Sequence, residues 1–195
     1  MRTVTTLLLV TLVALLSACA TPRQLDSDVS TYNQWPAGRK PASYAFERLP
    51  SQQARAEQQQ QLEDAARGAI EAAGFVAAAD DAQAEVRIQV GARASGIARV
   101  VYDDPFWWRG GMSMRWRRGF YSSAGVHYTT PIYEREVALL IRDQKSGQTL
   151  YEARAINAAG SSADATVHAA MFEAAMKDFP NTAINPRRVT VELNR

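Results

Sequence analysis

The stretch Tyr133-Glu134-Arg135-Glu136-Val137-Ala138-Leu139-Leu140-Ile141-Arg142 decides the fold, read together with Asp143-Gln144-Lys145-Ser146-Gly147 and with Thr149-Leu150-Tyr151-Glu152-Ala153-Arg154-Ala155-Ile156 after it. Val137, Leu139 and Ile141 recur with a period of two, the mark of a strand with one buried face. Asp143 to Gly147 is a run of turn formers. The second strand, Thr149 to Ile156, then pairs with the first as a hairpin. Upstream, Val86, Ile88 and Val90 alternate with Glu85, Arg87 and Gln89, which predicts another strand within residues 84–95. Tyr44 and Phe46 mark a short strand over 43–49, and Val189 to Leu193 a last edge strand.

Between the strands the period changes. Gln52 to Ala73 is rich in helix formers, and Leu62, Ala65, Ala66, Ala69, Ile70 and Ala73 fall on one helical face. Pro50-Ser51 precedes this helix, and Gly74 stands where a helix end needs a left-handed residue. The Gln58 to Gln61 run lies on the solvated face of the same helix. A second helix starts within Ser161 to Asp164, buries Val167, Ala170, Met171 and Ala174, and ends at Phe179-Pro180. The expected class is α+β: a two-layer sandwich of a mostly antiparallel sheet with two helices packed on one face.

The N-terminus supplies an address. Met1-Arg2-Thr3 leads into the apolar run Val4 to Leu16, a short positive region followed by a hydrophobic region, as in a secretory signal. The run is shorter than the roughly 20 residues a spanning helix needs. Leu16-Ser17-Ala18-Cys19 follows, and Cys19 is the only cysteine. This resembles the lipobox of bacterial lipoproteins. The resemblance implies cleavage after Ala18 and attachment of lipid, palmitate among its acyl chains, at Cys19. Ala20 departs from the Asp that retains such proteins in the inner membrane, so the expected location is the outer membrane, facing the periplasm, where the cell has two. Residues 1–18 are then a signal peptide, 19–42 a lipidated tether containing Pro22, Pro36, Gly38 and Pro41, and 43–195 a single domain. Tyr32 and Trp35 are unusual in a tether and suggest that its last residues are ordered.

Charge excludes several functions. The chain carries 22 Lys and Arg against 20 Asp and Glu. So even a balance provides no overall field to recruit nucleic acid.

The order of elements resembles the bacterial lipoproteins grouped as domain of unknown function 4136. The similar segments are Tyr44-Ala45-Phe46, the helix ending at Gly74-Phe75, the hairpin from Leu140 to Tyr151 through Asp143-Gln144-Lys145-Ser146-Gly147, and the second helix ending in Met171-Phe172 and Phe179-Pro180. One departure is Ala84-Glu85-Val86, where an Asp-led strand start is expected. The resemblance implies an envelope lipoprotein of a family without assigned activity, and it supplies no catalytic residue.

One segment does not read as scaffold. From Tyr102 to Tyr128 the chain holds Trp107, Trp108, Arg109, Gly110-Gly111, Arg115, Trp116, Arg117, Arg118 and Tyr121. Trp107, Trp108, Arg109, Trp116, Arg117 and Tyr121 are the candidate contact residues for a partner or ligand, because Trp, Tyr and Arg dominate interface hot spots. The same composition also describes a self-packed loop with arginines stacked on aromatic rings.

No catalytic constellation emerges. His127 and His168 are the only histidines and have no Cys, Asp or Glu at ligand spacing, so no metal and no cofactor is expected. Asp103-Asp104 reads as a turn or cap, and Ser161-Ser162 as a capping context. The expected function is a non-catalytic, lipid-anchored cell-envelope protein that binds a partner or supports envelope assembly. The alternative is a module holding glycan or lipid through the Trp/Arg-rich loop.

Overall fold

A computed structural model describes residues 23–101, 128–159, 164–182 and 184–193. Cys19 and the candidate contact residues Trp107, Trp108, Arg109, Trp116, Arg117 and Tyr121 lie outside them, as do His127, Asp103-Asp104 and Ser161-Ser162.

Seven strands form one sheet: β1 (Gln24–Asn33), β2 (Ser43–Phe46), β3 (Val76–Ala77), β4 (Val86–Val101), β5 (Tyr128–Asp143), β6 (Thr149–Ala159) and β7 (Arg187–Glu192). Their spatial order is β3-β2-β4-β5-β6-β1-β7. The helices are α1 (Pro50–Gln53), α2 (Ala56–Ala72) and α3 (Ala165–Met176).

This corrects the expected sandwich of mostly antiparallel sheet and two helices. The sheet is mixed and dominates the fold. β2 runs parallel to both β3 and β4, and the described residues include three helices. The parallel pairing follows from connectivity. Helices α1 and α2 carry the chain back across the sheet between β2 and β3, and a crossover of that kind returns a strand in the same direction. The single helix expected from Gln52 to Ala73 is also interrupted, with Arg55 at a non-helical φ of −125° and ψ of 49° ahead of α2.

The tether is corrected as well. Gln24–Asn33, expected to be part of it, is β1, hydrogen-bonded to β6 on one side and β7 on the other. Leu25, Ser27, Val29 and Thr31 face inward with a period of two, while Gln24, Asp26 and Asp28 are exposed. Trp35 follows, nine-tenths buried, and packs edge-on against Phe75 and Phe179 at ring distances of 5.6 and 4.9 Å. Its indole N–H donates to the carbonyl of Arg39 at 2.9 Å. Tyr32, by contrast, is half exposed.

One apolar core holds these elements together. Val86, Ile88 and Val90 of β4, Val137, Leu139 and Ile141 of β5, and Tyr151, Ala153 and Ala155 of β6 are buried with Ile70 and Ala66 of α2 and Met171 and Phe172 of α3. The opposite face carries Arg87, Gln89, Arg93, Glu152 and Arg154 and stays polar. The Asp143–Gly147 turn forms where it is expected, with Gly147 at φ 69°. Gly74 ends α2 at φ 97°, a conformation that costs glycine nothing.

Candidate functional site

Beyond the body of the sheet β4 and β5 continue as a two-stranded ribbon. Among the described residues β6 pairs with β5 as far as Tyr133↔Ala159, whereas the β4–β5 ladder runs on from Ile97↔Ile132 to Val101↔Tyr128. Five further pairs at about 3.3 Å per residue give a projection of roughly 17 Å. At the base of the ribbon a Tyr133 ring carbon lies 3.8 Å from where a Cβ on Gly96 would stand. The Trp/Arg-rich sequence 102–127 connects the two ends of this ribbon. Its candidate residues therefore belong to one connection joining paired residues Val101 and Tyr128.

The β2-facing edge of β4 opens before the ribbon begins. β2 pairs with β4 only from Tyr44↔Val86 to Phe46↔Ile88, and Glu47 N–H adds one more bond to the Ile88 carbonyl. Pro50 then starts α1, and glutamine side chains take over from the missing strand. Gln52 Nε2 and Gln59 Nε2 both donate to the Val90 carbonyl, at 2.8 and 3.2 Å. Gln52 Oε1 also accepts from the Leu49 N–H at 2.8 Å, which locks the start of α1. Past Val90, among the described residues, no strand covers this edge.

Beside that edge a cleft of about 450 Å³ lies between the start of α2 and the start of α3. Gln58, Gln59 and Arg55 form one wall, Asp164 and His168 the other, and Leu62 an apolar patch. The Asp164 carboxylate accepts the Val167 N–H at 2.9 Å and caps α3. His168 is half-buried. Burial pushes its pKa below the ordinary 6.5, Asp164 opposes this and the Arg135 guanidinium reinforces it. Arg135 is almost fully buried on the core side of β5, and its pKa too is lowered by burial, with Asp164 opposing.

Chemically, the cleft offers amide donors and acceptors and a neutral imidazole. Ser51 lines it, but among the described residues no hydrogen bond joins a serine to His168, and no group of three His, Cys, Asp or Glu side chains gathers at metal-binding geometry. The glutamine caps were missed in the sequence. The signal was there in Gln52 and Gln59, seven residues apart and so on one helical face, but the Gln-rich stretch reads as solvated surface. His168, which the sequence marks only as a histidine without metal-ligand spacing, forms part of a wall of the cleft.

Among solved structures, a PDZ domain protein from Parabacteroides distasonis is similar at 15% identity and a TM-score of 0.53, over 90% of this chain. This chain spans 40% of that one, so the likeness concerns the fold. A PelC dodecamer from Paraburkholderia phytofirmans is similar at 12% identity and a TM-score of 0.36, over 77% of this chain and 95% of that one. No curated protein matches the chain. The family model described as domain of unknown function (DUF4136) matches residues 28–181, from within β1 to just past α3, and the chain belongs to this family.

Proposed function

We propose that the protein is a non-catalytic, lipid-anchored lipoprotein of the bacterial cell envelope that works by contacting a partner. Cys19 is the lipid attachment point, and the outer membrane, facing the periplasm, is its location where two membranes exist. Support for the anchor comes from the small-small-Cys sequence after the apolar run. Among the described residues no helix is long and apolar enough to cross a membrane.

The observation that carries the contact reading is the ribbon. Among the described residues a paired extension of β4 and β5 runs on past the last β5–β6 pair, no strand covers the outer edge of β4 there, and the extension is joined by a sequence rich in Trp and Arg. Projecting ribbons with free backbone edges and aromatic anchors suit protein recognition, by strand addition or by hot-spot contact.

In-cell crosslinking tests this. Wild type should capture a defined envelope protein, and replacing Trp107, Trp108 and Trp116 together by Ala should abolish capture while the purified domain keeps its melting temperature. Capture that survives in the triple variant removes the contact reading. If the wild-type domain instead binds peptidoglycan or lipopolysaccharide, and the variant does not, the occupant is a glycan or lipid. Cys19→Ser should accumulate as uncleaved precursor without palmitate label; normal maturation would end the lipoprotein reading.

A further inference from the structure

We infer that the end of the sheet at which β1 begins faces the bilayer and touches it, so that the domain stands on the membrane rather than swinging from it. This rests on the lipid anchor at Cys19 proposed above.

The distance available is short. The Leu193 N–H donates to the Arg23 carbonyl at 2.7 Å, and β1 is paired from Gln24 onward. Only Ala20, Thr21 and Pro22 lie between Cys19 and Arg23. Fully extended, that link spans about 14 Å. The polar layer of one leaflet takes up roughly 5–8 Å of it, being half the difference between the bilayer's full thickness and its hydrocarbon core. What remains is less than the 10–12 Å diameter of one helix.

The register shows what else occupies this end. Asp28 pairs with Ile156, Ile156 with Glu136, and Glu136 with Arg93, so these four define one row across β1, β6, β5 and β4. From the row, β1 runs back four positions to Gln24. In the same sense β4 runs on eight positions to Val101, and β5 runs back eight to Tyr128. Eight residues reach roughly 26 Å along the ribbon. Sheet twist of about 20–25° per strand inclines the ribbon to β1 by roughly 45–70°, which leaves about 9–18 Å of projection along β1. Gln24 stands roughly 13 Å beyond the row on the same scale. The first strand residue and the pair Val101–Tyr128 thus come to a similar height. The turn at Lys145 lies at the opposite end, because β5 runs from Tyr128 toward Asp143, away from the anchor.

The chain between Val101 and Tyr128 therefore leaves and re-enters the fold on the side of the anchor.

The test uses the full lipidated protein in vesicles of phosphatidylethanolamine and phosphatidylglycerol. Cys19 is blocked by its thioether, so a single new thiol can be labelled selectively. Glu192→Cys, on β7 opposite Gln24, reports the proposed membrane end, and Lys145→Cys reports the far end. Both sites are exposed. With quenchers on the lipid headgroups, the label at position 192 should be quenched several-fold more than the label at 145. Equal, weak quenching in protein that floats with the vesicles overturns the orientation and leaves the anchor standing. Stronger quenching at 145 overturns it too. Protein that fails to float and carries no palmitate removes the anchor, and the orientation falls with it.

Discussion

The side-chain amide of Asn185 pairs with the main chain of Thr31 in both directions: the Thr31 N–H donates to Asn185 Oδ1 at 3.0 Å, and Asn185 Nδ2 donates to the Thr31 carbonyl at 2.6 Å. Val29 pairs with Arg187, so the β1–β7 register carried two places on sets position 185 opposite Thr31. The amide stands in for one more rung of ladder after the strand itself has ended. Asn185→Ala should orphan both groups and cost about 1–3 kcal/mol. Asn185→Asp keeps the acceptor and loses the donor, so it should also destabilise. Urea midpoints of the two variants check this, and wild-type midpoints in both would show that the rung contributes nothing.

Glu63 is 2% exposed on α2, and Arg48 reaches it with two bonds of 2.6 Å, Nε to Oε1 and Nη2 to Oε2. Removing the cation leaves a buried carboxylate with only the Gln59 amide at 3.3 Å. Arg48→Ala should cost about 2–3 kcal/mol, below the full figure for an orphaned buried charge because Arg48 is open to water on one side. Adding Glu63→Gln to it should recover part of the loss, since the stranded charge is gone. A double variant weaker than Arg48→Ala would reverse the argument.

Acid should act on the β5–β6 turn. The Asp143 carboxylate accepts N–H bonds from Ser146 and Lys145 and the Ser146 hydroxyl, and Arg39 Nη1 lies 3.0 Å away. The Ser146 N–H first, then Arg39, hold its pKa down from 3.8 to about 2. The unfolded chain takes up this proton as pH falls through about 4, and the folded chain only near 2. The stabilisation is therefore complete above about pH 4 and lost on the way down to 2. Asp143→Asn should flatten the stability profile in that window, and an unchanged slope would assign it to other carboxylates.

His168 titrates in the same sense at higher pH. Its folded pKa is pushed below 6.5 by burial. The unfolded chain binds the proton first as pH falls, so stability should decline from about pH 6.5 downward. The imidazole proton shifts, followed by NMR, should show a midpoint below 6.5; a midpoint at or above it would mean the cleft wall is wetter than the structure has it.

The two faces of the sheet should respond oppositely to charge. Ile88→Asp and Leu139→Asp place a carboxylate among fully buried residues, at a cost of several kcal/mol against a typical total of about 5–15. Gln89→Asp lies on the polar face, 2.9 Å from Arg142 through the present Gln89 Oε1, and should be tolerated. Equal melting temperatures for the three would contradict the register.

Periodicity carried much of this fold into view. Val86-Ile88-Val90 and Val137-Leu139-Ile141 could be assigned to one face because their alternation is purely apolar, and Asp143 to Gly147 because turn chemistry is local. β1 escaped for the converse reason. Two of its four inward residues, Ser27 and Thr31, are small and polar, so the alternation is faint and the nearby prolines read as linker. The parallel partners of β2 escaped because pairing depends on where helices return the chain, which no local pattern encodes. The cleft escaped because Gln59 and His168 meet only after α2 and α3 pack together.

Placing β1 between β6 and β7 joins the first and last strands of the sheet in a single ladder. Gln24 meets Glu192, and Asp28 meets both Ile156 and Arg188. Contacts so distant along the chain are slow to form, since the loop they close must be ordered before they give any return. Synthesis therefore makes the first strand long before either neighbour exists, and the nascent chain must keep it unpaired at least until β6 has been made. Loss of β7 would expose one side of the first strand from Gln24 to Val29, so damage to the last strand of the sheet becomes a lesion at the first.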